Sequence, residues 1–280
     1  MANVKEIKSH IKTIKDTQKV TKAMYLISSV KYRAIKDTFL KFIPYIEELE
    51  KIIGELSPYL DPEICPYTSG KIGRNACLVI TADKGLAGDY NKNVLKCAQE
   101  YIDKNPDSMV YVIGNAGMKN FARNNISVEK CFDFSLSDTS EKTSGKVSDY
   151  FKELFLKGEI SGLTVIYTST HDGIRSKADH KKIFPLSIEN GTGKPCNEFE
   201  YFPDEKTVLN NIIPLYLDSV FYSILIQSSF SEQSARMMAM DSANTNAGDM
   251  LSELNIQYNH LRQNAITQEI AEISGERKTQ

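Results

Sequence analysis

The sequence predicts an α/β protein: a long antiparallel coiled coil of the N- and C-terminal helices, plus a central Rossmann-like α/β domain. Three observations lead there. Apolar residues recur at heptad spacing from Val4 to Leu56, a second long stretch with few breakers fills the C-terminal quarter, and between them strand-like and helix-like segments alternate. The expected boundaries are 1–57 for the first helix, 74–190 for the central domain, and 204–280 for the C-terminal helix that pairs with 1–57.

In the first segment, steps of three and four residues pass through Val4, Ile7, Ile11, Ile14, Gln18, Thr21, Tyr25, Ser28, Tyr32, Ile35, Phe39, Phe42, Ile46, Leu49, Ile53 and Leu56. Thirteen of these sixteen positions are apolar, which makes a coiled-coil seam rather than a single amphipathic turn. At 1.5 Å per residue such a helix is roughly 80 Å long. Pro44 is expected to kink it, and Gly54 with Pro58 to end it.

In the C-terminal segment, Met240, Ala243, Ala247, Met250, Leu254 and Leu261 keep a three-four spacing, with Gln257 as a polar exception. Ser and Ala crowd the stretch 228–248, and Ala23, Ser28, Ser29 and Ala34 stand opposite; small residues allow close backbone approach. Two terminal helices of similar length around a globular middle pair most simply as antiparallel neighbours, giving a two-helix stalk with a domain at one end.

In the middle, NACLVITAD, MVYVIGN and GLTVIYTST are short β-branched runs, and NKNVLKCAQEYIDKN between the first two is helix-like. Alternation of this kind implies a mostly parallel sheet. The polar stretches SLSDTSEKTSGK (135–146) and ENGTGKPCNE (189–198) are expected to be surface loops.

Composition narrows the function classes. A net charge of −2 argues against a dedicated nucleic-acid binder, and no apolar run of bilayer-spanning length is evident. MANVKEIKSHIK lacks the uncharged core of a signal peptide, so a cytosolic location is expected. Cys65, Cys77, Cys97, Cys131 and Cys196 form no C-x-x-C pair, and His10, His171, His180 and His260 show no ligand spacing; reduced thiols and no metal are expected.

The turn TADKGLAGDYN (81–91) follows the first strand and precedes a helix, a place where α/β folds cradle phosphate. It matches neither G-x-x-x-x-G-K-[ST] nor G-x-G-x-x-G, because Lys84 precedes the glycines and no Ser or Thr follows at the magnesium position. A structural turn is the better reading. His171–Asp172 with Ser169 lacks a nucleophile-elbow setting, and Glu47–Glu48 fits a solvated helix face. No catalytic, cofactor-binding or metal residues are therefore assigned. Residues 1–41 hold nine Lys and one Arg against three acidic residues, a balance of +7, whereas 231–280 carry −3. Complementary charge favours pairing of the two helices over an external polyanion.

Three blocks then carry a resemblance. IKSHIKTIKDTQKVTKAMYLISSVKYR, ITADKGLAGDYNKNV and SEQSARMMAMDSANTNAGDMLSELNIQYNHLRQNAITQEIAEI resemble, in order and separation, the opening, the central glycine turn and the C-terminal signature of gamma subunits of F-type ATP synthases. Residues 120–200 match that family only in general pattern. The resemblance implies a central rotor shaft, itself without catalytic function, that couples a membrane ion-driven ring to ATP synthesis or hydrolysis at beta-subunit sites. It implies as partners the alpha and beta subunits of the catalytic hexamer, the epsilon subunit and the c-subunit ring. The implied place is the cytoplasmic face of a bacterial cell membrane, peripheral to it.

Carried over by position, the resemblance puts Met24 and Arg236 opposite one another toward the ring. It makes Arg262, Gln263, Thr267, Gln268 and Glu269 contacts to the alpha/beta ring, and it has Lys15 and Lys22 present charge to beta. The tip EISGERKTQ departs from the apolar tip usual in the family, which keeps open a related ATPase specialised for hydrolysis. The remaining alternatives are a nucleotide-binding α/β enzyme, resting on the glycine turn alone, and a passive coiled-coil scaffold or membrane-surface adaptor, resting on the basic first helix.

Overall fold

The computed structural model describes residues 4–56, 65–70, 72–170, 176–186 and 202–276. Pro58, the stretch 189–198, the pair His171–Asp172 and the last four residues of the polar tip lie outside them, as do the side chains of Glu269 and of 272–276. In chain order the elements are α1 (Val4–Leu56), β1 (Arg74–Ile80), α2 (Tyr90–Lys104), β2 (Met109–Ile113), α3 (Asn115–Arg123), β3 (Val128–Phe132), α4 (Glu141–Lys157), β4 (Ile160–Thr170), β5 (Ser176–Phe184) and α5 (Glu205–Glu276). They form two compact units, Met1–Ser29 with Arg236–Gln280, and Val30–Ala235.

All sixteen seam positions of α1 are buried or half-buried. The helix is continuous through Pro44, and Gly54 lies in its last turn. The assigned helix runs through Pro44 without a break and closes at Leu56, between Gly54 and Pro58. One proline removes one main-chain donor from a helix of 53 residues, and a seam buried on both sides of it holds the helical path.

The register of α5 differs from the expected one. Its buried side runs through Met240, Asn244, Ala247, Leu251, Leu254, Tyr258 and Leu261, while Met250 and Gln257 are exposed. After Ala247 the buried step is four, to Leu251, not three, so Tyr258 occupies the seam in place of Gln257 and the polar exception disappears. In the first unit Ile7, Ile11 and Ile14 of α1 form one core with Ala247 and Leu251, flanked by Leu254, Tyr258 and Leu261. Gln18 donates from Nε2 to the Asn244 carbonyl at 3.4 Å.

In the second unit the same two helices pair antiparallel. Tyr32 meets Phe230 with ring centroids 4.7 Å apart, Phe42 meets Tyr222 edge-on at 5.0 Å, and the Tyr216 hydroxyl reaches Glu50 Oε1 at 3.5 Å. The small residues expected between the helices divide: Ser28, Ser228, Ser229 and Ser231 are buried, but Ala23 and Ala34 face solvent.

The sheet has five strands in the order β3-β2-β1-β4-β5, parallel except for β4–β5. Alternation along β1 sends Ala76, Leu78 and Ile80 to one core and Cys77 and Val79 to the other. The first core gathers Phe151 and Phe155 of α4 with Leu217, Phe221 and Leu225 of α5. The second holds Val94 and Ala98 of α2 and Phe121 of α3. Covering both faces is what makes β1 and β2 read as unbroken apolar runs.

Two edge strands went unread, because VEKCF and SKADHKKIF carry charges where a central strand carries Val or Ile. The stretch 135–146 is corrected from loop to helix start. After a short 3-10 turn at Leu136–Asp138, Ser140 caps α4: its side chain accepts from the Thr143 N–H, and the Thr143 hydroxyl accepts from the Ser140 N–H.

The expectation that no bilayer-length apolar run exists is also corrected. Within α5 an 18-residue window reaches a mean hydropathy of 1.3, and 61% of it is buried. A helix that is core on most sides passes a hydropathy test for the same reason a membrane helix does.

Burial sets a pH limit on this core. It pushes the phenols of Tyr111 and Tyr167 up to about 12, with the nearby Tyr150 adding to the first and Asp179 to the second. Both are neutral when folded, while an unfolded tyrosine ionises near 10. Stability from this source is therefore complete below pH ~10 and is lost as pH rises from there toward ~12. Ultraviolet titration is expected to show one class of tyrosines titrating normally and a second class titrating only as circular dichroism reports unfolding.

Candidate functional site: the glycine turn and the outer faces of the terminal helices

Thr81 ends β1 and organises the glycine turn. Its N–H donates to the Ile113 carbonyl at 2.8 Å, its hydroxyl lies 3.0 Å from that same carbonyl, and the hydroxyl oxygen accepts the Gly117 N–H at 2.9 Å. The Ala116 N–H donates to the Ala82 carbonyl at 3.1 Å, and the Asn115 N–H to Asp83 Oδ1 at 3.4 Å. The first three donors of α3 are thus taken by Thr81, Ala82 and Asp83. These are the donors a phosphate would use at a helix N-terminus.

The Ala82 N–H donates to Asn91 Oδ1 at 2.9 Å, closing the loop onto the first turn of α2. Leu86 and Gly88 adopt left-handed backbone, which turns the chain so that Ala82, Ala87 and Tyr90 form a small core packed against Ala235 of α5. The turn is a brace between the sheet and α5. Among the described residues no group of three His, Cys, Asp or Glu could hold a metal ion. The free thiols of Cys65 and Cys77 are buried, that of Cys97 is half-buried and that of Cys131 is exposed. Burial raises the thiol pKa of all four, and it makes the buried Cys65 and Cys77 poor nucleophiles. Cys196 lies outside the described residues.

The residues picked out on the terminal helices have mixed environments. In the first unit Met24 is half-buried and Arg236 is buried, while Lys15 and Lys22 face solvent. Arg262, Gln263, Thr267 and Gln268 are exposed on α5. The Thr267 hydroxyl donates to the Gln263 carbonyl at 2.9 Å, a local helix bond that leaves the Gln263 side chain outside it.

A further set was missed from the sequence. Val20, Leu26 and Ile27 of α1 are 55–59% exposed, and Ile256, Ile266 and Ile270 of α5 are 48–61% exposed. None is on the seam that joins the helices. Ile256, Gln263 and Ile270 recur every seven residues, so Gln263 sits midway along an outward stripe with Ile266 beside it. The available signal was apolar residues left over once the seam had been assigned.

Comparison with known proteins places this architecture. Residues 3–276 match a family model described as ATP synthase. The chain is 33% identical to the ATP synthase gamma chain of Acetivibrio thermocellus, with 98% of each chain covered. It is 34% identical to that of Staphylococcus epidermidis, again covering 98% of each. Among solved structures it is similar to a chain of the Euglena gracilis mitochondrial ATP synthase, in an assembly of OSCP, F1 and c-ring. That match has a TM-score of 0.70 at 14% identity, over 99% of this chain and 94% of the other. A chain of the Tetrahymena thermophila central stalk and c-ring matches with a TM-score of 0.57 at 19% identity, over 80% and 99%. Two long terminal helices on a sealed α/β core, with sequence agreement along almost the whole length, mean that the chain belongs to the ATP synthase gamma-chain family.

Proposed function

We propose that the chain is the central rotor shaft of an F-type ATP synthase and that it is not itself catalytic. Its helix pair turns inside a ring of alternating alpha and beta subunits, and the α/β domain meets the epsilon subunit and the c-subunit ring. The complex sits peripherally on the cytoplasmic face of a bacterial cell membrane. Family membership supports the rotor role, and one observation supports where the ring is met. The outward faces of both helices in the first unit expose large apolar side chains that their own seam does not need. Ile266 and Ile270 one turn apart on α5, and Val20 and Ile27 two turns apart on α1, fit the apolar part of a protein contact surface.

The chemistry stays in the partners. The shaft supplies an asymmetric surface, and each orientation favours a different nucleotide affinity at each beta site through differential contacts. Lys15, Lys22 and Met24 act on one stretch of that surface, and Arg262, Gln263, Thr267, Gln268 and Glu269 on another; Arg236, 7% exposed, offers too little surface to be counted with them.

Arg262→Ala together with Gln263→Ala removes two exposed side chains. The free chain is expected to lose no more than about 0.5 kcal/mol. In assembled complexes the same pair is expected to cut ATP-driven ion pumping severalfold while leaving assembly intact. Pumping at the unsubstituted rate would remove these residues from the contact surface.

A further inference from the structure

The second unit contains a half-open cavity of about 330 Å³ enclosed by α1, α4 and α5. Its walls are Phe42 and Tyr45 of α1 and Tyr222 of α5, with Leu215 at the rim and Glu141 and Asp218 among the lining residues. The three rings form one group: Phe42 lies 5.3 Å from Tyr45 and 5.0 Å from Tyr222, edge-on to the latter. Its volume is at the small end of the range for ligand sites.

The charge around the cavity is negative. Among the described residues Glu141 takes part in no salt bridge. Asp218 gives one carboxylate oxygen to Lys152 at 2.7 Å, and Lys152 is shared with Asp149 at 2.8 Å. One lysine thus serves two carboxylates, and Glu141 adds a third charge. Burial raises the Tyr222 phenol, and the charge on Glu141 raises it further, so the carboxylate is felt at the aromatic wall. A Cβ added at Gly145 would meet nothing within 4 Å, so this part of the lining is open.

We propose that this cavity binds a small organic cation with a guanidinium head on an alkyl stem. Aromatic faces attract a cation through their quadrupole. The unpaired carboxylate supplies the counter-charge, a planar guanidinium can engage it through two N–H donors, and Leu215 takes the stem. A neutral ligand of the same shape gains only the apolar contact.

The chain contains no tryptophan, so Leu215→Trp at the half-exposed rim gives a single reporter. Titration with an N-acetyl arginine amide is expected to change the indole emission saturably in the millimolar range. The citrulline analogue, its neutral isostere, is expected to leave the emission unchanged. Glu141→Gln should weaken the apparent affinity about threefold, and Tyr222→Leu by a similar factor. Saturation-transfer NMR on the unsubstituted chain checks that the reporter has not created the site.

In the assembled complex, a response that persists assigns the site to a free cation. An indole that begins at the bound emission and no longer responds assigns it to a cationic side chain of a neighbouring subunit. Equal responses to arginine and citrulline amides, or an affinity unaltered by Glu141→Gln, would overturn the proposal.

Discussion

Gly114→Ala is expected to remove most of the stability of the α/β unit. Gly114 joins β2 to α3 with φ at +94°, and a Cβ there would stand 2.1 Å from the Thr81 carbonyl oxygen. Two costs add. A side chain at this φ is strained by about 1–3 kcal/mol, and the clash is with backbone rather than with the movable end of a side chain. Relief requires β1 and β2 to part where the Thr81 N–H meets the Ile113 carbonyl, and it loosens the Thr81 cap on α3. The total is expected to be about 4 kcal/mol or more, a large part of an ordinary domain's stability. Urea denaturation followed by circular dichroism should show a much lower midpoint, or the variant should fail to accumulate in soluble form. A loss below about 1 kcal/mol would mean that the turn is far more plastic than its hydrogen bonds imply.

The second large effect is local to the helix pair. Ile11 is 8% exposed and packs in the small core of Ile7, Ile14, Ala247 and Leu251. Ile11→Asp removes the apolar side chain, worth about 2–4 kcal/mol, and sets a carboxylate against the apolar seam, which it must leave to reach water or Lys8 and Lys15. With so few residues in that core, the first unit is expected to open while the Val30–Ala235 unit stays folded. Hydrogen exchange should show lost protection over residues 4–29 and unchanged protection in β1, β2 and β4. Lys12→Asp, one position along and exposed, is the control and is expected to change stability by less than about 0.5 kcal/mol. Loss of protection in both units together would show that they unfold as one cooperative body.

These two residues also mark what could be read from the sequence. Ile11 belongs to a seam whose period alone fixed α1, since a buried helix face needs apolar residues every three or four positions. The register of α5 slipped because Met250 and Leu251 are adjacent and both apolar, and only burial decides between them. Strands β1, β2 and β4 were visible because both sheet faces are covered; β3 and β5 were hidden because edge strands carry Lys, Glu and Asp.

The cap of α4 was hidden for a different reason. Thr143 takes the place that Glu or Gln holds in the usual S-x-x-E pattern, so a polar run looked like a loop. The glycine turn was readable as a turn, but the capture of the α3 donors by Thr81, Ala82 and Asp83 depends on residues thirty positions apart. Of the proposed contact surface, Arg262, Gln263 and their neighbours came from family resemblance. The exposed Val20, Ile27, Ile256 and Ile270 become informative only once the seam is known to be complete without them.

The most direct test is to assemble this chain with alpha and beta subunits, fix the ring to a surface, and follow a probe on the exposed Cys131. The rotor account predicts steady rotation in one direction that requires ATP and stops when hydrolysis is inhibited. Hydrolysis with a stationary probe, or no assembly at all, would contradict it.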